Sequence, residues 1–170
     1  MAKVQRITAC LWFDDQAEEA ANYYVGIFRN SKIASLSRYG EVGQEFHGKP
    51  PGSVMTVEFE LDGQTSTALN GGPIFKFNEA ISLQIACETQ EEVDYYWDKL
   101  TAGGDPQAQQ CGWLKDKFGL SWQVVPDQLN RMIKDKDKEK VQRVTRVMLQ
   151  MKKLEIAPLE EAFSGKKQTV

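Results

Sequence analysis

The feature that most constrains this chain is an internal echo. Glu18-Glu19-Ala20-Ala21-Asn22-Tyr23-Tyr24 is answered by Glu91-Glu92-Val93-Asp94-Tyr95-Tyr96-Trp97. A repeat makes the repeated supersecondary unit the thing to identify first. Both segments carry helical periodicity: Ala17, Ala20, Ala21, Tyr24 and Phe28 form one apolar stripe, and Val93, Tyr96, Trp97 and Leu100 another. Asp15 or Gln16 can open the first helix. Thr89 suits the N-cap of the second, with Glu92 three residues on as the return half of a capping box, and Gly103-Gly104 stops it.

The flanks repeat as well. Before the first helix, Ile7, Ala9, Leu11 and Phe13 alternate with Thr8, Cys10 and Trp12; before the second, residues 81–87 are similarly strand-like. After the first helix come strand-like residues 32–39, 54–61 and 64–69, the last two joined by Asp62-Gly63, a strong hairpin signal. After the second come residues 107–115 and 120–125, turning near Lys117-Phe118-Gly119. The pattern is strand, helix, then three strands, twice over. Residues 40–52 read as a surface loop. Beyond Pro126 the chain turns helical: Asp127 can cap a first helix, residues 138–153 carry Val141, Val144, Met148 and Met151 on one stripe, and Pro158 fits the first turn of a terminal helix ending near Phe163. That stripe must bury against its own domain or against a dimer partner.

Composition excludes several classes. A net charge of −3 over 170 residues, with 26% charged, gives no electrostatic reason to expect nucleic acid or an anionic membrane as partner. The lysines and arginines between residues 134 and 153 are interleaved with Asp135, Asp137 and Glu139, which reads as a solvated helix face. No apolar run approaches a membrane span, and Met1-Ala2-Lys3-Val4 lacks a signal-peptide core. Cys10, Cys87 and Cys111 are widely spaced and odd in number, without CxxC metal spacing or a disulfide framework, so a reducing cytoplasm is the expectation. Each reads as a small hydrophobe, with a reactive thiol as the alternative at Cys111.

Ile7-Thr8-Ala9-Cys10-Leu11-Trp12-Phe13-Asp14, followed by Glu18-Glu19-Ala20 and Tyr24, resembles the opening of PhnB-like proteins. Further matches are Ala68-Leu69-Asn70-Gly71-Gly72-Pro73, the run from Cys111-Gly112-Trp113 through Ser121-Trp122-Gln123, and Met148-Leu149-Gln150-Met151-Lys152-Lys153-Leu154. The resemblance covers nearly the whole chain and points to the vicinal-oxygen-chelate superfamily of glyoxalases, dioxygenases and bleomycin-resistance proteins. It implies an α+β fold of two pseudo-symmetric βαβββ modules (1–75 and 76–126) whose sheets curl into cups, a C-terminal helical extension (127–170), and a homodimer. Many members of this branch carry the label of 3-demethylubiquinone 3-methyltransferase.

In metal-dependent members of the superfamily, histidine and glutamate or glutamine ligands lie on the first and last strand of each module. Here the corresponding places fall at about Thr8, near Ser82 and at Gln123, and residues 64–70 hold neither carboxylate nor histidine. These neutral groups are weak donors for a divalent cation. The single histidine, His47, sits in the predicted loop. We expect no metal. We expect no S-adenosylmethionine cofactor either, since Asn70-Gly71-Gly72-Pro73 reads as a hairpin exit and not as a glycine turn opening a helix.

What remains is a cup. Alternation assigns Thr8, Cys10 and Trp12 to one face of the first strand, and Ser121 and Gln123 to one face of the last, with Trp122 behind. Trp113, Asn70 and Ser82 complete the candidate ligand-binding set. Such a lining, aromatic with a few neutral hydrogen-bonding groups, suits a small organic molecule. The alternatives are an enzyme working through unusual metal ligands or on a ubiquinone-like ring, and an interaction protein whose tryptophans fill the cup. No nucleophile–base pair can be assembled.

Overall fold

The structure, a computed structural model, describes residues 5–165; Met1-Ala2-Lys3-Val4, the segment read as lacking a signal-peptide core, lies outside them. The chain forms two compact units that divide after Phe77.

The first unit runs β1 (Ala9–Phe13), α1 (Ala17–Ile27), β2 (Lys32–Arg38), α2 (Gln44–His47), β3 (Val54–Leu61) and β4 (Gln64–Asn70). Its sheet has the order β1-β4-β3-β2. β1 and β4 are parallel, which requires a crossover, and β3 is antiparallel to both its neighbours. Strand alternation sorts the side chains. Leu11, Phe13, Val57, Phe59 and Ala68 are buried on the side that packs on α1, where Ala17, Ala20, Ala21 and Tyr24 are wholly inaccessible. Tyr24 stacks on Phe59 with centroids 6.3 Å apart. Asp62 and Gly63 both take positive φ, 46° and 76°, as a two-residue turn matching the twist of β3 and β4 demands. The loop between β2 and β3 contains one helical turn, α2, flanked by Gly43 and Gly48.

The second unit runs β5 (Leu83–Cys87), α3 (Gln90–Thr101), a 3-10 turn (Pro106–Ala108), β6 (Trp113–Lys115), β7 (Ser121–Pro126), α4 (Asp127–Met132), α5 (Lys138–Met148) and α6 (Ile156–Ser164). Half of the expected capping box forms: Thr89 Oγ1 accepts from Glu92 N–H at 3.3 Å, while Glu92 Oε2 accepts from the N–H of Glu88, one residue before the cap, at 2.7 Å. The sheet order is β5-β7-β6, with β5 parallel and β6 antiparallel to β7.

Here the structure departs from the expected second copy. The span 107–115 is strand only over Trp113–Lys115. Asp105 caps the 3-10 turn by accepting from Gln107 N–H at 2.8 Å, and Pro106 opens it. The N–H groups of Cys111 and Gly112 then donate to Met151 and Lys152 carbonyls at 2.8 and 2.7 Å. Backbone groups that would have continued the strand expected over 107–115 are therefore satisfied by the C-terminal segment. The extension packs within this unit: Leu129, Met132, Val144, Leu154 and Leu159 form one buried cluster, with Val147, Met148 and Met151 against it. Among the described residues no helix is long and apolar enough to cross a membrane.

Candidate functional site

Each sheet has one face turned away from its helix, and most of the predicted lining residues are on those two faces. In the first unit, Cys10 and Trp12 lie opposite Thr67 and Leu69, which in turn lie opposite Glu58 and Thr56. Thr8 precedes them on the same side by alternation. Thr8 and Cys10 are exposed and Trp12 is half-buried. Ser35 Oγ bonds Glu58 Oε2 at 2.9 Å on this face, and Ser37 bonds Thr56 at 2.6 Å.

Trp12 is committed structurally. Its indole N–H donates to the Gly72 carbonyl at 2.9 Å, and its ring meets Phe75 edge-on at 5.0 Å between centroids. A Cβ on Gly71 would stand 2.1 Å from Trp12 Cζ2, so only glycine lets the ring lie there. Gly71 thus seats a tryptophan.

Asn70 is not brought to the open face. It lies opposite Phe13 in the β1–β4 register and is 5% exposed. Its Oδ1 accepts from Ala17 N–H at 2.8 Å, its Nδ2 donates to Val54 carbonyl at 3.1 Å, and its own carbonyl accepts from Tyr39 OH at 2.7 Å. Asn70 caps α1 from a distant strand, which Gln16, with no capping side-chain bond, does not do. A cleft of about 310 Å³ beside this cap is lined by Asp15, Glu18, Lys49, Pro50, Ser53, Val54 and Asn70. Lys49 in it is already bonded to Asp14 carbonyl at 2.9 Å.

In the second unit Ser82, Trp113 and Gln123 come together. Gln84, Gln123 and Trp113 form one row across β5, β7 and β6. Gln84 Nε2 donates to Gln123 Oε1 at 3.1 Å, and Gln123 Nε2 donates to Ser82 Oγ at 2.7 Å. Gln84 joins the residues expected here; its alternation with Ile85 is the sequence signal for it, and its register with Gln123 comes from the folded sheet. The indole N–H of Trp113 makes no hydrogen bond among the described residues. Ser121 is 1% exposed and its hydroxyl has no partner among them. Lys115, in register with Ser121, is ion-paired with Glu79, and this hydrogen bond holds the Glu79 carboxyl below its ordinary value. Trp122 faces the other way, as expected. It is 2% exposed, and its indole N–H donates to Asp116 Oδ2 at 2.8 Å.

The donors do not fit a divalent cation. Gln123 Oε1, the one oxygen of the expected ligand positions that could serve, already accepts a hydrogen bond, and Ser82 and Thr8 offer neutral hydroxyls. Among the described residues no three His, Cys, Asp or Glu side chains converge. His47 packs on Tyr39 at 4.4 Å and its Nδ1 accepts from Lys49 N–H at 3.0 Å, which occupies it within the β2–β3 loop.

A strand–helix–strand unit with parallel strands occurs twice, each copy with an open polar and aromatic sheet face. The chain belongs to the PhnB-like family, whose model, described as 3-demethylubiquinone-9 3-methyltransferase, matches residues 5–125. A Bacillus cereus PhnB protein, described as a 3-demethylubiquinone-9 3-methyltransferase, is 38% identical with a TM-score of 0.61, the alignment covering 72% of this chain and 99% of that one. A Pseudomonas aeruginosa protein is 17% identical with a TM-score of 0.57, covering 72% and 98%. The fosfomycin resistance protein FosX of Listeria monocytogenes is 15% identical with a TM-score of 0.46, covering 73% and 93%. No curated protein matches the chain.

Proposed function

We propose that this chain is a metal-free binding protein for a small organic molecule, held on the open sheet face of the second unit. The observation that carries the reading is the array of Gln84, Gln123 and Ser82 beside Trp113. Polar side chains are hydrogen-bonded into a line there, next to a half-buried aromatic ring whose N–H is unused. Pre-ordered polar groups next to an aromatic surface are how small-molecule sites gain orientation and affinity together. The methyltransferase description belongs to the relatives. The glycines that might have suggested a cofactor turn are occupied by Trp12.

The test is retention of small molecules by the purified chain from a defined metabolite mixture, with a Trp113→Ala variant as comparison. A molecule held by the wild type and released by the variant supports the reading. Identical retention by both, or a stoichiometric transition metal in the purified protein, overturns it.

A further inference from the structure

The β2–β3 loop holds the chain's single histidine where one proton changes what fastens the loop. His47 ends the short turn α2, whose flanking Gly43 and Gly48 take positive φ, 85° and 64°. Its ring lies 4.4 Å from that of Tyr39, just past β2, with the planes tilted by 33°. Its Nδ1 accepts from the Lys49 N–H at 3.0 Å. That bond requires a neutral ring with its proton on Nε2. Lys49 is tethered at both ends. Its main-chain N–H is held by His47, and its ammonium donates to the Asp14 carbonyl at 2.9 Å, with the Asp14 carboxylate at 3.7 Å. The same Asp14 carbonyl accepts from Gly72 N–H at 3.1 Å. Lys49 thus links the loop to the end of β1 and forms part of the wall of the cleft of about 310 Å³ beside Asn70.

Histidine is the side chain whose charge changes between about pH 5 and 8. Protonation puts a hydrogen on Nδ1, where the Lys49 N–H already points, so donor meets donor and the bond is lost. The cation keeps an attractive partner in the Tyr39 ring. The titratable and charged groups about the imidazole are Tyr39, whose hydroxyl is engaged with the Asn70 carbonyl at 2.7 Å, Lys49 itself, and the exposed Glu41 and Glu45 of the same loop. Among the described residues no carboxylate is paired with the ring. The bonds that close α2 run from the N–H groups of Phe46 and His47 to the Gly43 carbonyl, and from Gly48 N–H to the Gln44 carbonyl. These are main-chain bonds and hold at either ring charge, so the change falls on Lys49. We propose that His47 is a proton-operated latch: the neutral ring pins Lys49 so that its ammonium closes on Asp14, and the protonated ring releases it and opens the cleft beside Asn70. The other charged groups lining that cleft are Asp15 and Glu18, so release turns a mixed lining into an acidic one.

Nuclear magnetic resonance on the full chain between about pH 8 and about pH 5.5 reads the latch. At the upper end a scalar coupling through the hydrogen bond is expected between the Lys49 main-chain nitrogen and His47 Nδ1. It should vanish as the imidazole signals report protonation. Over the same range the water-exchange rate of the Lys49 N–H, corrected for the intrinsic effect of pH, should rise about tenfold, the worth of one hydrogen bond. The amide signals of Asp15 and Gly72, which report on the Asp14 carbonyl, should move with the same midpoint. His47→Asn supplies an uncharged oxygen acceptor in place of Nδ1 and should hold the Asp15 and Gly72 signals fixed across the range. A coupling absent at the upper end overturns the latch. So does a Lys49 exchange rate, or an Asp15 and Gly72 response, that does not follow His47 protonation. The same response persisting in His47→Asn also overturns it, and assigns the change to the carboxylates of Asp14 and Asp15.

Discussion

Replacing Asp116 by asparagine tests how the turn between β6 and β7 is held. The Asp116 carboxylate is 2% exposed. Its Oδ1 accepts from the N–H groups of Phe118 and Leu120 at 2.9 and 3.1 Å, and its Oδ2 from the Trp122 indole at 2.8 Å. Asparagine has one acceptor oxygen where aspartate has two. If that oxygen stays with the main chain, the new NH₂ opposes the Trp122 N–H, donor against donor. If it flips, two main-chain N–H groups lose their partner. A buried unsatisfied group costs roughly 1–3 kcal/mol and charge-assisted bonds are replaced by neutral ones, so Asp116→Asn should cost about 2–4 kcal/mol. Trp122→Phe deletes the opposing donor, so the double variant should be less destabilised than the sum of the two singles by about 1–2 kcal/mol. Urea denaturation followed by far-ultraviolet circular dichroism reads all four chains. An Asp116→Asn cost within about 0.5 kcal/mol of zero, or strict additivity, would refute the caged-carboxylate account.

Two further outcomes follow from local geometry. Gly71→Ala puts a methyl group into the Trp12 ring, which cannot retreat without breaking its bond to Gly72. A loss of about 1–3 kcal/mol is expected, with a changed near-ultraviolet spectrum and partial relief when Trp12→Ala is added; an unchanged melting curve contradicts it. Burial, and less strongly the Glu92 carboxylate, push the Cys87 thiol from 9.0 up to about 12. The unfolded chain therefore loses this proton first as pH rises, and stability should fall between about pH 9 and 12. Cys87→Ala, compared with wild type by denaturant midpoint across that range, should lack this part of the decline; parallel curves would contradict the assignment.

Local signals are legible in the sequence because their partners are close by. Thr89 and Glu92 are three residues apart, Asp62-Gly63 dictates its own turn, and the alternation in β1 separates Leu11 and Phe13 from Cys10 and Trp12. The capping role of Asn70 is not legible, because the helix it caps starts 53 residues away in sequence, a pairing only the folded sheet creates. Gln84 escaped for a related reason, since its worth depends on the β5–β7 register. Asp105-Pro106 is a readable turn signal just before residues 107–112 that the expectation of an exact repeat obscures. The destination of the Cys111 and Gly112 N–H groups lies in the C-terminal segment, beyond any local reading.

The match to the family ends at Val125, yet the molecule cannot be trimmed there without consequence. Gly112 lies so close to Leu154 that an added Cβ would come within 2.8 Å of it, and the Cys111 and Gly112 N–H groups find their acceptors at Met151 and Lys152. The segment between α5 and α6 thus takes over a job that a sheet neighbour would otherwise perform. Transplanting the second unit into another scaffold would have to carry its tail along, because the N–H groups of Cys111 and Gly112 and the buried cluster around Leu154 are completed only by it.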